Sequence, residues 1–163
     1  MSITFNADEI FEMAEQIERN GAEFYEEASE KAPDEKTQNM LLEMAEMEWG
    51  HLKTFQEMRK DLTDEERSAN LFDPDNEASL YLQTMADGKG FEGKISKMEK
   101  LTGKESIQDI LKIAINAEKN SVAFYSSIKE LVPEKAGRER IRAIIKEELG
   151  HLAVLSLSLA ASK

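Results

Sequence analysis

The chain has 163 residues, 40% of them hydrophobic and 33% charged, a composition typical of one globular domain rich in amphipathic helix. Its net charge of −12 argues against nucleic acid and anionic membranes as partners. Because there is no cysteine, disulfides, thiolate zinc sites and iron–sulfur clusters are excluded, and any bound metal must use oxygen and nitrogen ligands.

The sequence shows no pattern for export or membrane insertion. Residues 1–6 lack a basic segment followed by an apolar one, so no secretory signal is visible. The longest apolar run, residues 149–161, is interrupted by polar residues and is too short to span a bilayer. We therefore expect a cytoplasmic protein that does not associate with membranes.

The first part of the chain predicts a helical hairpin over residues 7–60. Asn6 and Glu9 match a capping box, and apolar residues then recur at three- and four-residue spacing, which predicts a helix over about 7–31. Pro33 marks the turn, and a second helix is predicted over about 35–60. Since the turn is short, the two helices should pack antiparallel.

Residues 61–105 form a long connection with turn-forming sequences at 73–76, 87–90 and 102–104 and one short predicted helix over 78–86. A connection of 45 residues needs a geometric reason. A short loop would suffice if the two halves were related by an axis along the bundle. With a perpendicular axis, the third long helix runs antiparallel to the first, and the chain must travel back about 40 Å. The length favours the perpendicular axis.

The last part of the chain predicts a second hairpin over residues 107–160. Ser106 and Asp109 cap a helix over about 107–131, a turn follows at Pro133 and Gly137, and the last helix covers about 138–160. The predicted fold is therefore all-α. We expect a single domain over residues 1–163, a four-helix bundle with one long crossover between the second and third long helices.

The two hairpins carry a sequence repeat with an offset of one hundred residues, which indicates an internal duplication. The tetrad Glu48-Trp49-Gly50-His51 returns as Glu148-Leu149-Gly150-His151. In the first helix of each hairpin the offset superposes Ile10 on Ile110, Ala14 on Ala114, Glu18 on Glu118 and Phe24-Tyr25 on Phe124-Tyr125.

Each tetrad aims a carboxylate and an imidazole at one point, because residues three apart on an α-helix lie about 60° apart on one face. A lone histidine is usually a structural core residue, but both histidines of this chain lie in the repeated tetrads. A glutamate from each first helix completes the inventory of ferritin-like di-iron bundles. Two divalent cations would neutralise four glutamates, which are prohibitively costly to bury ionised. The candidate metal ligands are Glu18, Glu48, His51, Glu118, Glu148 and His151.

Neighbouring residues compete for some of these assignments. Other glutamates of the first helix are expected to be solvated, whereas Glu18 shares a stripe with Ala14. Glu147 competes with Glu148, but its repeat mate is Met47, which favours Glu148.

Two tyrosines are candidates for supporting the ligands. Tyr25 and Tyr125 follow the first-helix glutamates by seven residues, within about 20° of the same face. They are either core packing residues or hydrogen-bond partners of ligand carboxylates.

With these motifs the chain resembles the rubrerythrin branch of the ferritin-like superfamily, over four helices that make up about two thirds of its length. The resemblance implies that Glu18 and Glu118 are carboxylate ligands, that the tetrad glutamates bridge two iron ions, and that each histidine terminates one side. Manganese or zinc would also suit such ligands. The resemblance further implies that the protein is an oxidoreductase that reduces hydrogen peroxide or O2.

The chain departs from rubrerythrins in two respects. Ser121 stands where they have a further glutamate, and the cysteine-bearing rubredoxin domain is absent, so electrons would come from a separate donor protein or from free Fe(II). The alternative function is an iron-binding or ferroxidase module for iron handling or storage. A purely structural bundle would not need the repeated ligands.

The C-terminal helix suggests self-association. Its leucines, which are Leu152, Leu155, Leu157 and Leu159, exceed one helix stripe and predict either a homodimer or a fully buried core helix.

Overall fold

The computed structural model describes residues 5–71, 73–87 and 101–162 of the chain. Within these ranges it contains four long helices, two short ones and one 3-10 turn. In chain order they are α1 (Ala7–Ser29), α2 (Glu35–Lys60), α3 (Asp64–Ser68), α4 (Glu77–Asp87), α5 (Ile107–Lys129), the 3-10 turn Glu134–Ala136, and α6 (Arg138–Ala161).

The ends of the long helices follow the predicted signals. Asn6 and Ser106 form capping boxes at the starts of α1 and α5. Both helices end two residues earlier than predicted, because the chain tightens there into turns whose hydrogen bonds span three residues, from the N–H of Lys31 to the C=O of Ala28 and from the N–H of Leu131 to the C=O of Ile128. At the start of α6, Gly137 has a φ of 111°, a left-handed conformation that suits glycine.

The connection between the hairpins contains more helix than predicted. The helix expected over residues 78–86 is present as α4, whereas α3, which is held by a capping box between Thr63 and Glu66, was not predicted. The turn at residues 73–76 is present, and Asp73 accepts a hydrogen bond from the backbone N–H of Ser79. The turn predicted at 87–90 lies outside the described residues except for its first position. At 102–104, the carboxylate of Glu105 accepts the backbone N–H of Thr102.

The long helices pack as two antiparallel hairpins, α1 with α2 and α5 with α6. Across the bundle, Tyr25 of α1 lies beside Glu118 of α5, and Tyr125 of α5 lies beside Glu18 of α1. This crossed pairing requires α1 and α5 to run antiparallel, which confirms the arrangement expected from the long connection. The all-α bundle with one long crossover is confirmed.

The apolar core forms two clusters that lie towards opposite ends of the bundle. One cluster contains Ile10 and Phe11 of α1 with Ile128 of α5, and the other contains Phe24 of α1 with Leu111 of α5. In α1, the candidate ligand Glu18 lies between the residues of the two clusters. The core therefore encloses a polar layer near the middle of the bundle.

The leucines of α6 divide between the core and the surface. Leu155 is fully buried, whereas Leu157 is 72% exposed, and Leu152 and Leu159 are partly exposed. The helix is therefore not fully buried within one chain. Among the described residues, no helix has the length and apolar character needed to cross a membrane.

Candidate metal centre

All six candidate ligands converge in the polar layer of the bundle. They come from the four long helices, and each is between 1% and 5% exposed: Glu18 on α1, Glu48 and His51 on α2, Glu118 on α5, and Glu148 and His151 on α6. Six ionisable side chains at this depth are unusual, because a buried charge is costly unless it is paired or bound to metal.

The six side chains form two overlapping groups. The first contains Glu18, Glu48, His51 and Glu148, and the second contains Glu48, Glu118, Glu148 and His151. Within each group, one ligand atom per residue lies within 4.8 Å of the others. The two tetrad glutamates, Glu48 and Glu148, belong to both groups.

Both histidines point Nδ1 into the cluster. Nδ1 of His51 lies 3.4 Å from Glu18 Oε2, 3.3 Å from Glu48 Oε2 and 3.2 Å from Glu148 Oε1. The rings of the two histidines are stacked with centroids 6.1 Å apart.

The second histidine repeats this environment. Nδ1 of His151 lies 3.5 Å from Glu48 Oε1, 3.3 Å from Glu118 Oε1 and 3.0 Å from Glu148 Oε2. The internal repeat of the sequence is thus also a repeat of the site geometry.

Several inward-facing atoms are suited to bind a metal and make no hydrogen bonds with one another. Among the described residues, Nδ1 of His51, Nδ1 of His151 and both carboxylate oxygens of Glu148 are buried without a hydrogen-bond partner. Native proteins rarely leave buried polar atoms in this condition. Imidazole nitrogen and carboxylate oxygen are suitable donors for iron, manganese or zinc.

Burial and neighbouring groups decide which carboxyls hold protons. Burial, with the neighbouring Glu48, raises the pKa of Glu18 well above its usual range, and burial raises the pKa of Glu118 to about 9. Burial would also raise the pKa of Glu48 and Glu148, but the two imidazoles and one neighbouring carboxyl each, Glu18 beside Glu48 and Glu118 beside Glu148, lower both. Two carboxyls therefore favour the neutral form and two the ionised form.

The histidines complete the charge balance. Burial alone would lower both pKa values, but the surrounding carboxylates raise the pKa of His51 strongly and that of His151 to about 12. Protonated in this way, the cluster holds two imidazolium cations against two carboxylates and is neutral. Two divalent cations in place of the four protons would leave the net charge unchanged, so the residues fit a pair of divalent metals.

The two tyrosines support the carboxylates of the opposite half. The hydroxyl of Tyr25 donates a hydrogen bond to Glu118 Oε1, and the hydroxyl of Tyr125 donates one to Glu18 Oε1. Burial and the nearby carboxylates raise the pKa of both phenols, so both remain protonated donors. Both tyrosines therefore make these hydrogen bonds, and their rings also pack in the core.

The structure also shows a contact that the sequence reasoning missed. Nε2 of His51, on the outer side of the ring, lies 2.8 Å from Glu147 Oε2. Glu147 was weighed only as a rival to Glu148 for the inward position. The signal that could have found it is the second ring nitrogen of the histidine, which also needs a partner.

Comparisons with known proteins agree with this geometry. The sequence matches the Rubrerythrin family model over residues 9–158. The structure is similar to a solved Thermotoga maritima structure described as a ferritin-like diiron-carboxylate protein, with a TM-score of 0.73, 24% identity and 98% coverage of both chains. At this identity the likeness shows a shared fold. No curated protein matches the sequence significantly. Since the family match runs from the first long helix to the last, the protein belongs to the rubrerythrin family.

Proposed function

We propose that the protein is a non-haem di-iron oxidoreductase that reduces hydrogen peroxide, or O2, with electrons from a separate donor. The observation that carries this proposal is the pair of buried, overlapping groups of three glutamates and one histidine. We assign Glu48 and Glu148 to both metal positions because each belongs to both groups. The remaining glutamate and histidine of each half would complete one position each.

Two iron ions held there would supply one electron each to the oxidant, so that reduction requires no released radical. The residues of the chain would hold the ions in a site with little access for water. The hydroxyls of Tyr25 and Tyr125 keep their protons against ligand oxygens and fix the carboxylates on two different helices. Because all six ligands lie on long helices, the same set can persist through repeated turnover.

The electrons would come from a separate donor protein or from free Fe(II), because residues 1–163 contain no cysteine for a rubredoxin-type centre. Ser121, which is partly exposed, brings no carboxylate to the site. The preference for peroxide over O2 therefore rests on the closed ligand set rather than on an additional glutamate. We also propose that the protein is a cytoplasmic homodimer whose contact includes the exposed apolar side chains of α6, Leu149, Val154 and Leu157.

Metal stoichiometry tests the assignment of ligands. The wild-type chain should bind two Fe(II) ions anaerobically. The Glu148→Ala variant should lose most of the binding at both positions, because the missing carboxylate would serve both ions. The control is Glu46→Ala, which removes an exposed glutamate of α2 and should leave two ions bound. Binding of two ions by Glu148→Ala, or of one ion by the wild type, would contradict the proposed centre.

Stopped-flow oxidation tests the reaction. The di-Fe(II) protein is mixed with equimolar H2O2 or with O2, and the ferric product is followed by absorbance. We expect faster oxidation by peroxide and a product that stays at two ferric ions per chain. If O2 instead drives continued uptake of many irons per chain, the protein is a ferroxidase that feeds storage.

A further inference from the structure

The outer contacts of the two histidines break the symmetry of the centre. Nε2 of His51 lies 2.8 Å from the carboxylate Oε2 of Glu147, whereas Nε2 of His151 lies 3.4 Å from the thioether Sδ of Met47. Positions 47 and 147 are equivalent in the sequence repeat. The six candidate ligands are the same in both halves, and the halves differ at this outer position.

The difference has a chemical consequence at the inner nitrogen. With Nδ1 turned into the cluster, the ring proton of a neutral histidine that binds metal is on Nε2 and points outward. A carboxylate is a strong acceptor for that N–H, and a thioether is a weak one. Donation to a carboxylate fixes the ring and makes the metal-binding nitrogen more basic. His51 should therefore be the stronger ligand of the two.

Resting on the proposed di-metal centre, we propose that Glu147 makes the two metal positions unequal. The position formed by Glu18, Glu48, His51 and Glu148 binds its divalent cation first and more tightly than the position that contains His151. Glu147 acts as a positioning residue through His51 and does not itself bind the metal. The protein thus loads its two metals in a fixed order.

The location of Glu147 sets the size of the effect. Its side chain is 49% exposed and lies in the wall of a surface groove between α2 and α6, together with Gly50, Thr54 and Ala143. Outer partners of metal-binding histidines typically contribute 10- to 100-fold in metal affinity. Because water competes for this exposed carboxylate, we expect the lower end, about tenfold between the two positions.

Exchange of the two outer residues provides a direct test. The chain of 163 residues is crystallised with less than one equivalent of Co(II), and anomalous scattering gives the occupancy of each position. In the wild type, cobalt should occupy the His51 position in about tenfold excess. The Glu147→Met variant should remove most of the preference, and the double variant Glu147→Met, Met47→Glu should reverse it.

Two further variants separate the hydrogen bond from packing. Glu147→Gln keeps an acceptor without the charge and should retain part of the preference. Met47→Leu keeps the apolar side chain beside His151 and should leave the wild-type preference intact. Co(II) titrations followed by visible absorbance give the two affinities of each variant in solution, independently of turnover.

The outcomes distinguish this proposal from the proposed function. Equal occupancy of two positions in the wild type, or a preference that Glu147→Met and the double exchange leave unchanged, would overturn the role of Glu147 while leaving the di-metal centre intact. Failure of the wild type to bind two cobalt ions would contradict the centre itself, and with it this inference.

Discussion

The Tyr125→Phe substitution tests whether the crossed hydrogen bonds stabilise the centre or whether the tyrosines only fill the core. The ring of Tyr125 stacks on Phe55 with centroids 5.3 Å apart and meets the edge of Phe124 at 5.4 Å. Phenylalanine can keep both contacts, so the substitution removes only the hydroxyl that donates to Glu18. Any loss of stability then reports on that hydroxyl.

The expected size follows from burial. Tyr125 is fully buried, and removing its hydroxyl leaves a buried oxygen of Glu18 without a donor. The expected loss in the free energy of unfolding is about 1–3 kcal/mol. Taking about 2 kcal/mol, and about 2–4 °C per kcal/mol for a protein of this size, the melting temperature should fall by about 4–8 °C. The measurement is differential scanning calorimetry of the protein prepared without metal.

A double-mutant cycle with Glu18→Gln isolates the pairwise contribution, which should be at least about 1 kcal/mol. Tyr81→Phe is the matched control, because it removes the hydroxyl of a partly buried tyrosine of α4, away from the candidate ligands. If Tyr125→Phe costs no more than Tyr81→Phe, or if the cycle is additive, Tyr125 is a packing residue and the hydrogen bond contributes nothing measurable.

Two further predictions concern protons and assembly. The raised pKa values of Glu18, Glu118 and both histidines mean that binding of two Zn(II) ions at neutral pH should displace about four protons, so the affinity should increase as pH rises and protons compete less. Calorimetry in buffers of different ionisation enthalpy gives this number, and release of fewer than one proton would contradict the charge balance. Light scattering should show a dimer at micromolar concentration that Leu157→Glu weakens, whereas a wild-type monomer would refute the proposed contact.

The repeat was the feature of the sequence that predicted most of the site. An offset of one hundred residues aligned Glu48 and His51 with their equivalents in the second half, and the structure brings all six candidates together. Helix boundaries were predicted from capping residues and prolines, because these residues act on the backbone next to them and can be recognised in the sequence. The short helix α3 was missed because five residues are too few for a periodic apolar pattern.

What the sequence could not predict was which side chains meet between helices. Tyr25 follows Glu18 by seven residues on the same face, but seven residues are about 10 Å along a helix, too far for one phenol to bridge. The partner of Tyr25 is instead Glu118, which the antiparallel α5 places at the same level. Glu147 was missed for a related reason, because helix periodicity describes the inward face of a ligand and not what contacts its outer edge.

The crossed tyrosines also bear on how the molecule assembles. The hydrogen bonds join residues 93 and 107 positions apart, whereas each hairpin is held by contacts between helices that are neighbours in sequence. Closing short loops costs less chain entropy, so each hairpin can form before the two dock. The carboxylates of Glu18 and Glu118 then gain their tyrosine donors only when the two hairpins have docked. A hairpin separated from its partner would therefore lack the tyrosine hydroxyl that donates to its own first-helix glutamate.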